Sequence, residues 1–390
     1  MTAALLGLAL LALAACGHDR TEVEEAGQAV LRIYVFAPDK PVRTRANTDY
    51  VGATEAEKAI HSLQIWVFEH ESGELVGYLR PTEVATLNAN GQDSYLLAVS
   101  DDFAQRKPSV DVYVLANCSA ANCGHTYGSA TTRDELDAAQ IANETASEGS
   151  DHFGLTALQG SVGAEEGLPM SGVLKEQPIY GESPVLRVGT EASLATVRLV
   201  RAVSKLRFVF GKSEDAEEDF RILGITLDAA VLPTAQYLLL DTPYSTAREY
   251  RISPLTGRTD ADYEASATLV GSLGLVQQGV ADPTVYAYAG QGAQEYETLI
   301  DGAVSSNALM SGGLFYLRES DRKLAGTIRY QIGENAPAEA RFSMADAGDF
   351  SRNHTWIVYA YYQSGDFLTL ATVYVKPWDE DNIDYPVYNW

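Results

Sequence analysis

The stretch AVLRIYVFA, Ala29 to Ala37, decides how this chain begins to fold. Only one of its nine residues is polar, a pattern that indicates a β-strand buried on both faces. Pro38 and Pro41 end the strand, and the polar loop VRTRANTDY, Val42 to Tyr50, follows at once. This loop with two arginines is either a solvated connection or a segment built to be cut.

The composition is that of a folded protein with an acidic surface. The chain has 390 residues, 46% of them hydrophobic, so it is long enough for a sizeable core and favours two domains. Its 53 acidic and 28 basic residues give a formal net charge of -25, spread along the chain. This charge repels nucleic acids and anionic surfaces, so we expect no nucleic-acid partner.

The first sixteen residues carry an export signal. The apolar run Ala3 to Leu13 is too short to span a membrane, and it leads into Leu13-Ala14-Ala15-Cys16, a lipobox pattern. We therefore predict a lipoprotein signal peptide over residues 1–15 and acylation of Cys16, which would anchor an outer-membrane precursor. The alternative is a buried N-terminal helix with Cys16 in the core.

Cys118 and Cys123, in the stretch NCSAANC, are the remaining cysteines. The oxidising environment of an exported protein favours a disulfide between them over free thiols. A metal site would also need His125, but this spacing supplies three ligands without an evident fourth.

Most of the chain has the pattern of short strands. His61 to Phe68 and Leu75 to Leu79 form a hairpin signal around a turn, and Val110 to Ala116 alternates as a strand does. One short helix is expected within Thr131 to Ile141, and a long loop from Asn143 to Gly167.

A second set of strands follows a boundary expected between Glu182 and Ser193. Ala195 to Phe210 has the pattern of two strands or of one long bent strand. The later strands are expected at Phe220–Leu227, Tyr237–Leu240, Gly313–Leu317, Gly326–Ile332, Thr355–Tyr362 and Phe367–Val375. Because no helices separate these strands, the pattern predicts antiparallel β-sandwiches.

No motif for catalysis is present. The sequence lacks a P-loop, a dinucleotide fingerprint, H-E-x-x-H and G-x-S-x-G, and its six histidines are scattered. Tyr359, Tyr361 and Tyr362 could stack on a sugar, but strand alternation favours packing in the core. We therefore predict a protein that is not an enzyme and that has no cofactor and no metal.

Cleavage after Arg45 would have a structural consequence. The fold would lose the strand that carries Leu31, Ile33, Val35, Tyr34 and Phe36, and would be left with an apolar groove between unpaired strand edges. A strand from another chain could fill that groove. The C-terminal tail DEDNIDYPVYNW, residues 379–390, is a candidate donor, because Ile383, Tyr385 and Val387 alternate on one face. Alternatively, this tail is only a frayed end.

Taken in order, several stretches resemble the fimbrillins, or type V pilins, which are fimbrial subunits derived from lipoproteins. The resemblance extends over most of the chain. It rests on the lipobox at Cys16, the apolar strand followed by Arg45-Ala46, Leu168–Gly172, Arg198–Leu206, Arg352–His354 and Val373–Trp378.

The resemblance implies a specific history. Members of the family have two transthyretin-like antiparallel β-sandwich domains, lose the N-terminal strand to an arginine-specific protease, and polymerise by strand exchange through the C-terminal region. Carried over, Arg45 and Ala46 flank the cut and Ile383 to Trp390 belong to the donor tail. The expected divisions are the removable segment 16–45, the N-terminal domain 46–187 and the C-terminal domain 188–390.

The expected partners are other copies of the chain, other fimbrial subunits, the outer membrane through the lipid on the precursor, and receptors on host or bacterial surfaces. The tail is short and contains Pro386, and Arg43 offers a competing cut. A lipid-anchored anchor subunit or a tip subunit is therefore an alternative to a stalk subunit. A surface glycan-binding lipoprotein is the alternative from another class.

Overall fold

The structure is a computed structural model, and it describes the residues numbered 28–38, 55–142, 167–213, 216–240, 259–270, 274–276, 279–280, 310–344, 350–362, 364–365, 368–377 and 387–389. Strands make up most of the regular structure in these ranges, which confirms the predicted all-β class.

The strands of the N-terminal half are β1 (Val30–Phe36), β2 (Leu63–Glu69), β3 (Leu75–Leu79), β4 (Gln92–Ala98), β5 (Val110–Ala116), β6 (Gln140–Ala142), β7 (Met170–Gln177), β8 (Ile179–Glu182), β9 (Val185–Val188), β10 (Thr196–Arg198) and β11 (Val200–Arg201). Those of the C-terminal half are β12 (Ser204–Ser213), β13 (Phe220–Leu227), β14 (Ala235–Tyr237), β15 (Ala267–Val270), β16 (Gly274–Val276), β17 (Gly279–Val280), β18 (Met310–Leu317), β19 (Ala325–Ile332), β20 (Ala338–Ser343), β21 (His354–Tyr362), β22 (Leu368–Pro377) and β23 (Val387–Asn389).

The helices are short. They are α1 (Glu55–Lys58), α2 (Ala85–Asn90), α3 (Asp101–Arg106), α4 (Ala120–Cys123), α5 (Arg133–Asp137) and a 3-10 helix at Asp260–Asp262. The helix expected within Thr131 to Ile141 is α5, where Thr132 and Glu135 form a reciprocal capping box.

The N-terminal half contains two sheets that share one core. In sheet A, β1 lies between β4 on one side and both β9 and β10 on the other, and β8 pairs with β9. Sheet B has the order β11-β7-β5-β2-β3. A cluster of buried side chains from both sheets, including Leu31, Leu97, Ile65, Val112 and Leu186, fills the space between them. This arrangement is a β-sandwich.

The C-terminal half repeats this arrangement. Sheet C has the order β17-β12-β21-β22-β23, with β18 also paired to β12. Sheet D has the order β15-β13-β19-β20, with β16 also paired to β13. A second core, with Phe208, Phe220, Ile328, Phe342 and Trp356 among its members, draws on both sheets.

The sequence pattern predicted purely antiparallel sheets, but two of the sheets also contain parallel pairs. In sheet A, β1 runs parallel to β9 and β10, and in sheet C, β12 runs parallel to β17 and β21. These parallel partners are far apart in the chain or joined through intervening strands. They therefore carry none of the short-turn signals that a sequence pattern offers.

The stretch Ala195 to Phe210 forms three strands in three sheets. β10 pairs with β1 in sheet A, β11 with β7 in sheet B, and β12 with β18 and β21 in sheet C. The crossing from sheet A to sheet B requires close contact, because a Cβ on Gly172 of β7 would lie 2.6 Å from the Arg198 carbonyl oxygen. Residues 196–201 therefore pair with the N-terminal sheets, and we propose that the N-terminal domain extends to Arg201 instead of ending at residue 187.

The two halves meet through a third cluster on the outer face of sheet B. It contains Trp66, Tyr113 and Val173 of that sheet together with Leu238 and Leu239 from the C-terminal half. The strand β14 pairs with β6, and the Ser171 hydroxyl donates to the Leu238 carbonyl oxygen at 2.7 Å. This cover explains why β5, which alternates in sequence, is buried along its whole length.

Candidate functional site

The candidate site is the position of β1 in the centre of sheet A. The whole of β1 pairs antiparallel with β4, from Val30 opposite Ala98 to Phe36 opposite Gln92. On its other side, residues 30–32 pair parallel with β9 and residues 34–36 pair parallel with β10. In the described part of the chain, β4 and β10 pair with no other strand. Removal of β1 would therefore leave unpaired edges on both sides of a gap.

The hydrogen bonds at the ends of β1 show which residues face each neighbour. The Val30 amide donates to the Pro184 carbonyl oxygen at 2.7 Å, and the Leu199 amide donates to the Phe36 carbonyl oxygen at 2.9 Å. The Ala37 amide donates to the Gly91 carbonyl oxygen at 2.9 Å, at the β4 side. Even-numbered residues of β1 thus bond toward β9 and β10, and odd-numbered residues bond toward β4.

The two faces of β1 differ, and the predicted burial on both faces is wrong. Leu31, Ile33 and Val35 point into the core and are 0%, 1% and 0% exposed. Arg32, Tyr34 and Phe36 point to the outer face and are half-buried, because no second layer covers them fully. The strand alternates as a strand does when one face of its sheet lies on the core and the other faces outward.

The inward side chains of β1 make a large contribution to stability. Each fully buried aliphatic side chain is worth roughly 1.5 to 3 kcal/mol. Three such side chains together contribute an amount of the same order as a domain's net stability of about 5 to 15 kcal/mol. A protein that has lost β1 is therefore strongly driven to fill the gap.

The predicted processing residues lie outside the described residues. Cys16, Arg45 and Ala46 belong to this group, and so does Arg43. The described chain ends at residue 38 and resumes at residue 55 with α1. Lipidation and cleavage therefore stay predictions.

Part of the predicted donor tail is described. Ile383 and Tyr385 lie outside the described residues, but Val387 is the first residue of β23. This strand pairs antiparallel with β22, with Val387 opposite Val373 and Asn389 opposite Ala371, at the edge of sheet C. In the uncut chain these three residues are thus bound to their own C-terminal half.

Cys118 and Cys123 are both buried, and the structure holds them as free thiols. Burial, together with a hydrogen bond to Cys123, raises the pKa of the Cys118 thiol. The predicted disulfide is not formed in this structure, and it stays a prediction for the oxidised protein. His125 is exposed and packs its ring edge-on against Tyr127. Within the described ranges, no cluster of three or more His, Cys, Asp or Glu side chains is placed to bind a metal.

A buried ion pair at the junction of the two halves was not predicted. Lys205 Nζ lies 2.9 Å from Glu57 Oε2, and both side chains are fully buried. The Tyr316 hydroxyl donates to the other oxygen of Glu57, and Arg201 Nε donates to the Glu57 carbonyl oxygen at 3.0 Å. These contacts join α1, which follows the predicted cut, to β11 of sheet B and to β12 and β18 of sheet C.

A second buried pair lies nearby. Arg352 Nη2 lies 2.8 Å from Glu319 Oε1, and Arg352 Nη1 donates to the Leu238 carbonyl oxygen at 2.9 Å. Arg201, Lys205 and Arg352 all belong to stretches that carried the fimbrillin resemblance. For Arg201 and Lys205, the sequence signal was a basic residue inside an apolar run.

The fold thus defines a β-sandwich protein in which β1, the first strand of the described residues, lies in the centre of its sheet. Among known proteins, residues 29–185 match the family model of the Major fimbrial subunit protein (FimA). The match includes β1, and it confirms the resemblance predicted from the sequence. It supports a structural, cell-surface role in fimbriae and indicates assembly with other fimbrial subunits.

Three solved structures are similar over most of their length. A candidate cell adhesion protein from Parabacteroides distasonis ATCC 8503 is 13% identical with a TM-score of 0.48, and the alignment covers 93% of this chain and 96% of that chain. The tip fimbrial protein Mfa3 from Porphyromonas gingivalis, with C-terminal truncation, is 13% identical with a TM-score of 0.48, over 93% of this chain and 100% of that chain. A candidate cell adhesion protein from Bacteroides eggerthii DSM 20697 is 12% identical with a TM-score of 0.45, over 92% and 94%.

No curated protein matches the sequence. Across the described residues, the helices are all too short or too polar to cross a membrane.

Proposed function

We propose that this chain is a non-enzymatic structural subunit of a cell-surface fimbria and that it polymerises by strand exchange. In this proposal the two pairs of sheets are transthyretin-like β-sandwich domains. The precursor is acylated on Cys16 and held in the outer membrane until an arginine-specific protease cuts between Arg45 and Ala46. The cut releases β1, and the C-terminal tail of another subunit takes its place.

The observation that carries the proposal is the central position of β1. Its full-length pairing with β4 and its split pairing with β9 and β10 make it a strand whose loss opens a groove, not an edge. The cut site lies in the chain that directly follows it. A cut there separates β1 from the rest of the domain.

The first test is a variant of the cut site. Arg45→Ala should accumulate as a lipidated precursor and should give no ladder of polymers resistant to mild detergent. The matched control is Arg43→Ala, which should be processed and should polymerise normally. Normal fibres from the Arg45→Ala variant, built from subunits that still begin at acylated Cys16, would refute the strand-exchange account.

The second test concerns the donor. Replacement of both Ile383 and Val387 by Asp should block polymerisation, because two charges would enter an apolar groove. In the uncut variant the N-terminal half should unfold close to the wild-type temperature, since both substitutions lie outside the acceptor core. Polymerisation at the wild-type level would remove the tail from the mechanism.

The glycan-binding alternative gains no support from the tyrosines that suggested it. Tyr361 and Tyr362 are both fully buried, and Tyr362 belongs to the core of the C-terminal half. A monomeric lipoprotein that keeps acylated Cys16 and is retained on a polysaccharide column would favour that alternative, and an acylated subunit within a fibre would favour an anchor role.

A further inference from the structure

We propose that the tail of a second copy fills the position of β1 in one register, which places Asp384 beside Arg187 of β9. This inference rests on the strand exchange proposed above and adds to it a specific partner residue. For a tail that runs in the same direction as β1, burial selects the register, and the charge pairing follows from it.

The inward positions of β1 fix the register. The side chains at 31, 33 and 35 are 0%, 1% and 0% exposed, so a replacing strand needs three apolar residues at alternate positions. Ile383, Tyr385 and Val387 provide them when the tail runs in the direction of β1. A shift of two residues in either direction would bury Asp381 or Asn389 at one of these three positions, and a shift of one residue would bury Asp384.

The outer face then changes its charge. In the uncut chain, Arg32 of β1 lies opposite Arg187 of β9, and the two side chains share the outer face of sheet A. In the selected register Asp384 takes the position of Arg32. Like charges directly opposite each other destabilise a strand pair, whereas opposite charges stabilise it. The exchange therefore replaces an unfavourable neighbour of Arg187 with a favourable one.

Arg187 is placed to respond to this change. It is half-buried, and among the described residues no ion pair or hydrogen bond of its guanidinium group is found. Although the chain has 53 acidic residues, none of those that the structure describes pairs with this arginine. The sequence of the tail supplies one at the matching position.

The same register gives Pro386 a tolerable position. Pro386 replaces Tyr34, an even-numbered residue whose amide faces β10 and not β4. The odd-numbered residues of the tail keep their amides, so the ladder with β4 stays complete. The missing N–H falls next to the point where the neighbour of β1 changes from β9 to β10, and it removes one hydrogen bond.

A charge swap on the full-length, protease-processed protein tests the register. The measured quantity is the critical concentration for assembly, from sedimentation of fibres. Asp384→Lys and Arg187→Glu should each raise it about two- to tenfold, because each places like charges opposite one another. The double variant should return to within about twofold of the wild type, since the pair is restored with opposite polarity. Arg187→Gln, which removes the charge without reversing it, provides an intermediate case that preserves the size of the side chain.

The matched control is another cross-strand pair. Arg329 of β19 lies opposite Glu339 of β20, both are exposed, and both belong to sheet D, away from the groove. Arg329→Glu, Glu339→Lys and their double variant make the same charge changes. They should leave the critical concentration within about twofold of the wild type.

Deletion of residues 379–390 separates the two proposals. If the deleted chain still assembles, strand exchange through the tail is wrong and the register proposal falls with it. If deletion abolishes assembly but the double swap at 187 and 384 fails to rescue the single variants, strand exchange stands and the register is wrong. Rescue by the double swap, together with loss of assembly on deletion, is the result expected here.

Discussion

A cavity in β1 should weaken the precursor and leave the fibre unchanged. Ile33 is 1% exposed at the centre of the N-terminal core, and replacement of a buried isoleucine by alanine costs about 2 to 5 kcal/mol. That loss is a large part of a domain stability of about 5 to 15 kcal/mol. After processing, however, Ile33 leaves with β1, so the assembled subunit should have wild-type stability.

The matched variant is Ile65→Ala in β2. Ile65 is 0% exposed, belongs to the same core and stays in the chain after the cut. It should therefore lower the stability of both the precursor and the fibre by a similar amount.

Urea unfolding of the uncut protein and urea dissociation of fibres give the two quantities to compare. The two variants should have similar midpoints as precursors and clearly different midpoints as fibres. If Ile33→Ala lowers the fibre midpoint as much as Ile65→Ala does, β1 is still present in the assembled subunit and the reasoning is refuted.

Other predictions concern the junction, pH and the thiols. Glu57→Gln should lower the free energy of unfolding, measured in urea, by about 3 to 5 kcal/mol, because it removes the carboxylate that pairs with the buried Lys205. Glu57→Gln combined with Lys205→Met should recover much of this loss, whereas equal losses in the single and double variants would contradict a coupled pair. Burial lowers the pKa of His354 to about 4 from a usual value near 6.5. As pH falls from 6.5 to 4, the unfolded state binds a proton on His354 that the folded state does not, so the free energy of unfolding should drop by about 3 kcal/mol over that window. The same drop in the His354→Asn variant would mean that other groups cause it. In the reduced protein, the thiols of Cys118 and Cys123 should react with iodoacetamide only after unfolding, because burial excludes the reagent. Labelling is followed by mass spectrometry, and rapid labelling of the native protein would contradict the burial of these thiols.

Several strands with a clear local signal were predicted in place, whereas the strand predicted at Tyr237–Leu240 is wrong, because β14 ends at Tyr237. Phe220 to Leu227 was predicted at the bounds that β13 has, and the hairpin of β2 and β3 lies where its turn residues placed it. The pairing of strands was harder to predict. A short apolar run fits a parallel or an antiparallel neighbour equally well, so the parallel pairs of β1 and β12 left no trace in the sequence.

Burial was misjudged where it depends on a distant layer. The run that contains β1 suggested two covered faces, but its aromatic residues Tyr34 and Phe36 lie on an outer face that is only half-covered. The run of β5 alternates in sequence, but both of its faces are buried because residues such as Leu238 pack against it from the other half. An alternating pattern reports the chemistry of a face, whereas the layer that covers the face is set by the tertiary fold.

The candidate site was predicted in part. That β1 is a buried strand followed by a cleavable loop was evident from Ala29 to Arg45, because apolar runs, prolines and arginines are local features. The role of Arg187 was not evident, since its neighbour Arg32 is far away in sequence and only the pairing of β1 with β9 brings them together.

The most direct test of the account is the N-terminal residue of the protein in fibres taken from the cell surface, determined by mass spectrometry. The account predicts a chain that begins at Ala46, without lipid and without β1. A chain in the same fibres that begins at acylated Cys16 would contradict it, because β1 would still occupy the centre of sheet A.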